Sequence, residues 1–272
     1  MRFVNLRKQL KQEFSSASVD EAEVDFIASE VLGVKRTGLV FVDELENACY
    51  KRITRLAKMR LTGVPIDQLF GYCYFCGFKF FVNKQVLTPR GDSEVLIEKV
   101  VEIVEKNNIK TVLDMCTGSG CLAITLKKLC GDKIDITAVD ISGGALKIAK
   151  KNAKFNKANI RFVKSDMFNK VDDKYDLIVC NPPYIESETI LFLDKEVRDF
   201  DPQLALDGGR DGLDFYRVLA RDLKQHLNKD GFVVLEIGYN QQASVKALFK
   251  DYNFVACFKD FGGQDRVLIF RR

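Results

Sequence analysis

Apolar residues recur at helical spacing along the first seventy residues of the chain. Leu6, Leu10 and Phe14 lie four positions apart, which places their side chains on one face of a helix. The capping box Ser18-Val19-Asp20-Glu21 predicts the start of a second helix. The helices of this region are predicted over residues 1–14, 18–33 and 43–61. This pattern indicates a small helical domain, which we bound at residues 1–71.

The pattern changes after the helical domain. Aromatic and β-branched residues, interrupted by turn signals, dominate from Tyr72 to Leu87, which predicts a β-hairpin. We assign residues 72–88 to a linker between two domains. Beyond the linker a helix is predicted over residues 95–104, and either Asp92 or Ser93 is expected to cap its N-terminus.

Strands and helices alternate through the rest of the chain. Apolar, β-branched runs predict strands, and most of them are followed by a segment with helical spacing. The predicted strands cover residues 111–114, 134–140, 160–163, 175–180, 232–237, 255–258 and 267–270. Such alternation is typical of a doubly wound parallel α/β sheet, in which ligands bind at the carboxyl ends of the strands. Residues 89–272 are therefore expected to form a Rossmann-like domain.

The composition is that of an ordinary soluble globular protein. The 272 residues are 47% hydrophobic and 29% charged, and the formal net charge is +4, so the balance demands no acidic partner. No apolar run is long enough to span a bilayer, and the N-terminus has no signal-peptide core. We therefore expect a cytoplasmic protein with no membrane partner. A basic run from Lys51 to Arg60 is expected to be a solvated helix face, although it could also dock a partner.

Metal and imidazole chemistry find little support in the sequence. Eight cysteines lie mostly within apolar segments, as buried thiols do in a reducing compartment. Cys73 and Cys76 have the spacing of half a zinc site, but the second half is missing. His226 is the single histidine, which excludes most Ser-His-Asp and Cys-His mechanisms. We expect no metal site, and a catalyst that works without an imidazole base.

The tetrapeptide Asn181-Pro182-Pro183-Tyr184 directly follows a predicted strand. The Asn181 side-chain carbonyl and the Pro182 backbone carbonyl are two rigid acceptors that suit a planar –NH2 group. Because such a nitrogen is a weak nucleophile, orienting it towards an electrophile is the main contribution that the site can make. Tyr184 can stack on the planar group. The simpler interpretation is a turn that ends the strand.

A glycine-containing loop and several carboxylates predict the cofactor. The loop Cys116-Thr117-Gly118-Ser119-Gly120 follows one strand, and Asp140 ends the next, where it can accept hydrogen bonds from ribose hydroxyls. Residues 118–123 also satisfy the loose dinucleotide fingerprint GxGxxA. Asp114, at the head of the loop, would repel a pyrophosphate but suits the ammonium of a methionine moiety. S-adenosylmethionine, which becomes S-adenosylhomocysteine, therefore fits better than NAD.

Together these motifs resemble those of the glutamine-N5 methyltransferases that modify class 1 peptide-chain release factors. The other matching segments are Leu87-Thr88-Pro89-Arg90, Ala138–Ser142, Asp176–Val179, Glu196–Phe200, Leu204–Gly209, Asp211–Leu213, Leu235–Gly238 and Asp265–Val267. The resemblance implies a class I S-adenosylmethionine-dependent methyltransferase sheet and a helical domain that recognises the substrate. It also implies methylation of the glutamine in a release factor's Gly-Gly-Gln tripeptide, in support of translation termination.

By position, the resemblance implies two groups of site residues. The cofactor site would comprise Asp114, Cys116, Thr117, Gly118, Ser119, Gly120, Asp140, Asp166, Met167 and Asn181. The substrate site would comprise Arg90, Asn181, Pro182, Pro183 and Tyr184, with Asn181, Pro182 and Tyr184 catalytic. Three departures from the family pattern stand out: Cys116 replaces a usual glycine, Gly91 a usual proline, and Met167 an often aromatic residue. We expect less tolerance of positive φ at Cys116 and weaker adenine stacking at Met167.

Two alternatives remain open at this point. An adenine-N6 methyltransferase shares Asn-Pro-Pro-Tyr, but it would need a basic groove, for which the run from Lys51 to Arg60 is the only candidate. A cofactor-binding scaffold without enzymatic activity is the other. The favoured partners are release factors, with no stable binding of nucleic acid. The chain's own Gly262-Gly263-Gln264 is expected to form a hairpin turn away from the cleft, and not to be a methylation target.

Overall fold

The computed structural model describes residues 2–272, so the predicted start of the first helix at Met1 lies outside the described residues. The chain divides into two compact units between Phe70 and Gly71. The first unit contains helices α1 (Phe3–Ser16), α2 (Ala22–Leu32), α3 (Asn47–Leu61) and α4 (Ile66–Phe70), with a 3-10 helix at Arg36–Phe41. Its core is built from the predicted apolar faces, and Leu6, Leu10 and Phe14 are all buried.

Two local predictions in this unit were wrong. Ser18 has a φ of 57° and so lacks the extended backbone of an N-cap residue. The Asp20 carboxylate instead accepts a hydrogen bond from the Ala22 backbone N–H at 2.8 Å. The third helix begins at Asn47 and not near residue 43, because the Asp43 carbonyl accepts a hydrogen bond from the Phe3 N–H at 2.9 Å.

The second unit begins with an antiparallel hairpin and continues into a seven-stranded sheet. The hairpin pairs β1 (Tyr72–Phe75) with β2 (Phe78–Phe81). The sheet strands are β3 (Thr111–Met115), β4 (Asp135–Asp140), β5 (Arg161–Lys164), β6 (Tyr175–Cys180), β7 (Leu227–Glu236), β8 (Asn253–Lys259) and β9 (Asp265–Arg271). The helices are α5 (Glu94–Lys106), α6 (Cys121–Cys130), α7 (Gly143–Asn156), α8 (Lys195–Phe200), α9 (Asp214–His226) and α10 (Gln242–Leu248).

The sheet has the order β5-β4-β3-β6-β7-β9-β8. Strands β3 to β7 pair in parallel, whereas β9 runs antiparallel between β7 and β8. The predicted doubly wound α/β sheet is therefore confirmed, with one antiparallel strand. Successive side chains of β6 enter the cores on opposite faces: Leu177 and Val179 on one, Ile178 and Cys180 on the other. Burial of both faces is the reason β6 reads as a continuous apolar run.

The strand order locates the position where a ligand can bind. The chain proceeds outward from β3 to β4 and β5, then returns to place β6 on the other side of β3. A crevice opens at the carboxyl ends of strands where the order reverses in this way. The ends of β3, β4 and β6 meet there. The glycine loop directly follows β3, Asp140 is the last residue of β4, and Asn181 directly follows β6.

Candidate active site

A cavity of about 420 Å³ lies at this carboxyl edge, within the second unit. Most of the residues assigned from the sequence line it: Arg90, Cys116, Thr117, Gly118, Ser119, Asp140, Asp166, Met167, Asn181, Pro183 and Tyr184. Three others, Asp114, Gly120 and Pro182, are buried and do not line it. Among residues 2–272, no group of three or more His, Cys, Asp or Glu side chains could hold a metal ion. The same residues contain no helix long and apolar enough to cross a membrane.

The loop after β3 turns sharply through positive φ angles. Gly120 has a φ of 80°, and a Cβ atom there would lie 3.0 Å from Ile124 Cδ1 and 3.1 Å from Ala149 Cβ. Gly120 is therefore required for close packing against α6 and α7. It lies behind the cavity and does not line it. Cys116 adopts a φ of 62° although it is not glycine, and its Sγ lies 3.9 Å from Met167 Sδ.

Asp114 holds this loop from behind. Its Oδ2 accepts hydrogen bonds from the Thr117 hydroxyl and from the Ala123 N–H, the latter at 3.2 Å. Oδ1 is buried and has no hydrogen-bond partner among residues 2–272. The two hydrogen bonds lower the pKa of the carboxyl group, but burial outweighs them and raises the pKa to about 7. Since Asp114 does not line the cavity, its contact with an ammonium group stays a prediction.

Asp140 connects the ends of two strands. Its Oδ2 accepts a hydrogen bond from the Gly118 N–H and its Oδ1 one from the Ser142 N–H, both at 2.8 Å. Burial raises the pKa of the carboxyl group, although these backbone hydrogen bonds oppose the rise. Each carboxylate oxygen can accept more than one hydrogen bond. Asp140 can therefore order the glycine loop and still accept hydrogen bonds from a hydroxyl-bearing ligand.

Asn181 follows the end of β6 with its amide held on one side. Its Nδ2 donates to the Ser93 hydroxyl oxygen at 3.3 Å, which leaves Oδ1 as an acceptor for a ligand. The expected cap of α5 by Ser93 was wrong: Ser93 has helical backbone angles and makes no capping hydrogen bond. Pro182 is buried and does not line the cavity, so the use of its carbonyl as a second acceptor remains a prediction.

Tyr184 is fixed at both ends. Its backbone carbonyl accepts from Gln241 Nε2 at 2.9 Å, and its hydroxyl donates to Glu236 Oε1 at 3.4 Å. A Cβ atom on Gly208 would lie 2.8 Å from Tyr184 Cα, and one on Gly212 would lie 2.4 Å from the Tyr184 carbonyl oxygen. Gly208 and Gly212 are therefore required because they pack closely against the Tyr184 backbone.

Arg90, assigned to the substrate site from the sequence, lines the cavity and also forms an ion pair. Its Nη2 lies 2.7 Å from Asp201 Oδ2. The Asp201 side chain is buried, and this burial raises its pKa, whereas the charge of Arg90 lowers it. Asp201 therefore holds the guanidinium group of Arg90 beside the cavity.

Sequence reasoning missed Glu236, the last residue of β7. It is only 3% exposed, lines the cavity and accepts from Tyr184, while its Oε2 has no hydrogen-bond partner among residues 2–272. Burial raises the pKa of its carboxyl group to about 7, and Ser93, Arg266 and Tyr184 lower it only in part. The available signal was a charged residue within the apolar run at residues 232–237.

Comparison with known proteins identifies relatives of this chain. Residues 92–195 match the model of the methyltransferase small domain. A release factor glutamine methyltransferase of Agrobacterium fabrum is 37% identical over 277 residues, covering 96% of this chain and 94% of the relative. One of Bacillus cereus is 36% identical over 260 residues, covering 92% of each chain.

Solved structures show the fold. A methyltransferase from Pyrococcus furiosus superposes with a TM-score of 0.53 at 19% identity, covering 80% of this chain and 98% of that one. A 16S rRNA N2 G1207 methyltransferase from Thermus thermophilus, in complex with AdoMet and guanosine, gives a TM-score of 0.50 at 16% identity, covering 74% of this chain and 49% of that one. The predicted methyltransferase sheet is confirmed.

Proposed function

Because the chain belongs to the family of release factor glutamine methyltransferases, we propose that it methylates the glutamine of a class 1 peptide-chain release factor. The methyl group would pass from S-adenosylmethionine to the side-chain amide nitrogen, N5, in the Gly-Gly-Gln tripeptide. The observation that carries the proposal within the site is Asn181, whose Nδ2 is bound to Ser93 so that Oδ1 is left for the substrate. The adenine-N6 alternative is less supported, since the relatives are named for a protein glutamine.

The residues around the glycine loop fit S-adenosylmethionine. The Cys116–Gly120 loop, Asp140, the exposed Asp166 and the buried Met167 would hold it, and the unpartnered Oδ1 of Asp114 matches the need for an acceptor near a positive charge. When bound, S-adenosylmethionine supplies an electrophilic methyl group on a sulfonium centre. Asp140 would accept hydrogen bonds from the ribose hydroxyls.

The chain's own residues would orient the substrate amide. Asn181 Oδ1 would accept one N–H of the glutamine side chain, and the Pro182 carbonyl would accept the other. Tyr184 would pack on the planar amide, with its position fixed by Glu236 and Gln241. The methylated, cationic nitrogen would be strongly acidic, so its proton would pass to water without an imidazole base. Orientation and electrostatic stabilisation would then be the main sources of rate enhancement.

The helical unit would recognise the release factor. Within that unit, Val40 is 68% exposed and Phe41 is 85% exposed, so these two neighbouring apolar side chains are available to contact a partner. Phe41→Ser should raise KM for the release factor and leave kcat unchanged.

A labelled-methyl transfer assay tests the proposed function. A purified release factor should be labelled, and the same protein with Gln→Ala in its Gly-Gly-Gln tripeptide should not be. An adenine-containing oligonucleotide serves as the third substrate and should remain unlabelled. Equal labelling of both release-factor forms would refute the glutamine assignment, and labelling of the oligonucleotide alone would favour the adenine alternative.

A further inference from the structure

Arg266 lies at the carboxyl edge of the sheet because β9 runs antiparallel to β7. Val267 pairs with Glu236, the last residue of β7, so the first residues of β9 lie beside the carboxyl end of β7. The Arg266 backbone carbonyl accepts a hydrogen bond from the Ile237 N–H at 2.9 Å. The Arg266 side chain is only 11% exposed and does not line the cavity. Arg266 is therefore placed to act through residues that do line the cavity.

The guanidinium group of Arg266 is held on several sides. Its Nε and Nη2 lie 3.0 Å and 2.9 Å from Asp260 Oδ2. Nη1 donates to the Ile237 backbone carbonyl at 3.1 Å, and Nη2 lies 3.6 Å from Asp92 Oδ2. Asp260 is itself buried, and its Oδ1 accepts a hydrogen bond from the Gln264 N–H at 3.0 Å. These contacts fix the plane of the guanidinium group.

The Tyr184 hydroxyl connects Arg266 to Glu236. Arg266 Nη1 lies 3.4 Å from the hydroxyl oxygen, and that oxygen lies 3.4 Å from Glu236 Oε1. An arginine has only donors, and an ionised carboxylate has only acceptors. The hydroxyl must therefore accept from Arg266 and donate to Glu236, so the direction of both hydrogen bonds is fixed. Tyr184, which lines the cavity, is thus held at the far end of its ring.

We propose that Arg266 is a positioning residue, which acts through the Tyr184 hydroxyl to hold the ring of Tyr184 against the substrate amide. This inference rests on the proposed function, in which Tyr184 packs on the planar amide of the substrate glutamine. The Tyr184 backbone is already held by Gln241, so a ring held at its hydroxyl as well is oriented before the substrate binds. Arg266 itself does not touch the substrate.

Steady-state kinetics on Tyr184→Phe and Arg266→Lys, at pH 8 and with saturating release factor, test this role. Tyr184→Phe keeps the ring and every other contact of Arg266. It should lower kcat about 3- to 10-fold, the usual effect of losing one modest hydrogen bond. A lysine can keep the ion pair with Asp260 but lacks the planar fork of arginine, so Arg266→Lys should lower kcat at least as much. The KM for S-adenosylmethionine should not change in either variant.

The double variant separates action through Tyr184 from action by another route. Because Arg266 acts through the hydroxyl, the double variant should be no slower than the slower single variant. Multiplied losses would overturn the proposal, and so would an unchanged kcat in Tyr184→Phe.

A matched control keeps folding apart from positioning. Arg271 lies at the other end of β9 and pairs with Asp230 at 3.3 Å, so Arg271→Lys should retain kcat. Urea unfolding of Arg266→Lys gives the second measurement. A loss of stability with an unchanged kcat would show that Arg266 only stabilises the fold, and would overturn the proposal.

The ζ carbon of Tyr184 provides a readout that needs no substrate, because this carbon carries the hydroxyl that accepts from Arg266. In protein labelled with 13C at the tyrosine ζ position, its resonance is assigned with Tyr184→Phe. The resonance should shift in Arg266→Lys and stay in place in Arg271→Lys. An unchanged resonance in Arg266→Lys would overturn the positioning role. If the resonance shifts as expected but no release factor is methylated, only the proposed function fails.

Discussion

Two carboxylates at opposite ends of the same sheet show how differently its edges are built. Asp176, near the start of β6, accepts hydrogen bonds from the Lys110 and Thr111 N–H groups and from Asn228. Burial alone would raise its pKa, but these donors outweigh burial and the pKa lies below its ordinary value. Glu236, at the end of β7, is more deeply buried and has an unpartnered oxygen, and its pKa rises to about 7.

The difference separates a structural role from a functional one. Satisfied buried groups stabilise the fold, whereas a buried acceptor without a partner costs stability and is available to a ligand or a neighbour. Asp114 repeats the pattern of Glu236 at the same edge, with an orphaned Oδ1 and a raised pKa. The carboxyl edge thus holds two buried acceptors without partners, and we propose that they serve the site.

The largest expected effect belongs to Asn181→Ala. Removing the acceptor should lower kcat by about 100- to 1000-fold, as the loss of one well-placed electrostatic group does. Binding of S-adenosylmethionine, measured by calorimetry, should persist. Near-normal turnover would contradict a catalytic role for Asn181 at the carboxyl edge of the sheet.

The pH dependence of stability sharpens the contrast between the edges. The folded pKa of Glu236, about 7, exceeds its ordinary 4.5. The contribution of Glu236 to the free energy of unfolding is therefore fully present below pH 4.5 and is lost as the pH rises through 7. The folded pKa of Asp176 lies below its ordinary value of 3.8. The contribution of Asp176 to the free energy of unfolding is therefore present above pH 3.8 and is lost as the pH falls through the folded pKa. At pH 8 the free energy of unfolding of Glu236→Gln should exceed that of the wild type by at most about 3 kcal/mol. Urea unfolding at pH 5 and pH 8 measures this, and a gain at pH 5 alone would contradict it.

A smaller effect is expected from the backbone of the glycine loop. Cys116 adopts a φ of 62°, which costs a non-glycine residue about 1 kcal/mol. Cys116→Gly should therefore raise the unfolding free energy by up to about 1 kcal/mol. The gain is reduced because glycine makes the unfolded chain more flexible, which favours unfolding. Thermal unfolding with and without S-adenosylmethionine checks this. A clear loss of stability would show that the sulfur contact with Met167 matters more than the strain.

No effect is expected at the chain's own Gly-Gly-Gln. Gln264 is exposed in the turn between β8 and β9, and both its N–H and its C=O bond to Asp260. Its backbone is therefore not free to extend into a cleft. Intact mass after incubation with S-adenosylmethionine alone should be unchanged, and a gain of one methyl group would reverse this view.

The sequence predicted the sheet because burial on both faces leaves a continuous apolar signature, as in β6. It predicted the ends of the strands as the site because parallel strands align their carboxyl ends. The cap at Ser93 failed because its hydroxyl accepts a tertiary hydrogen bond from Asn181, which spacing does not encode. The cap at Ser18 failed locally, since Ser18 has a φ of 57° and Asp20 accepts from the Ala22 N–H instead. Glu236 was missed because its hydrogen-bond partner, Tyr184, comes from the segment after β6 and the positive charge near it, Arg266, comes from β9.

The most direct test of the contrast measures kcat and the unfolding free energy on the same samples of Asp176→Asn and Glu236→Gln at pH 8. Asp176→Asn should lose about 1–3 kcal/mol of stability, the cost of weakening a buried hydrogen-bonded charge, and keep its methyl-transfer rate. Glu236→Gln should lose methyl transfer and keep or gain stability. Parallel losses of stability and rate in both variants would contradict the account.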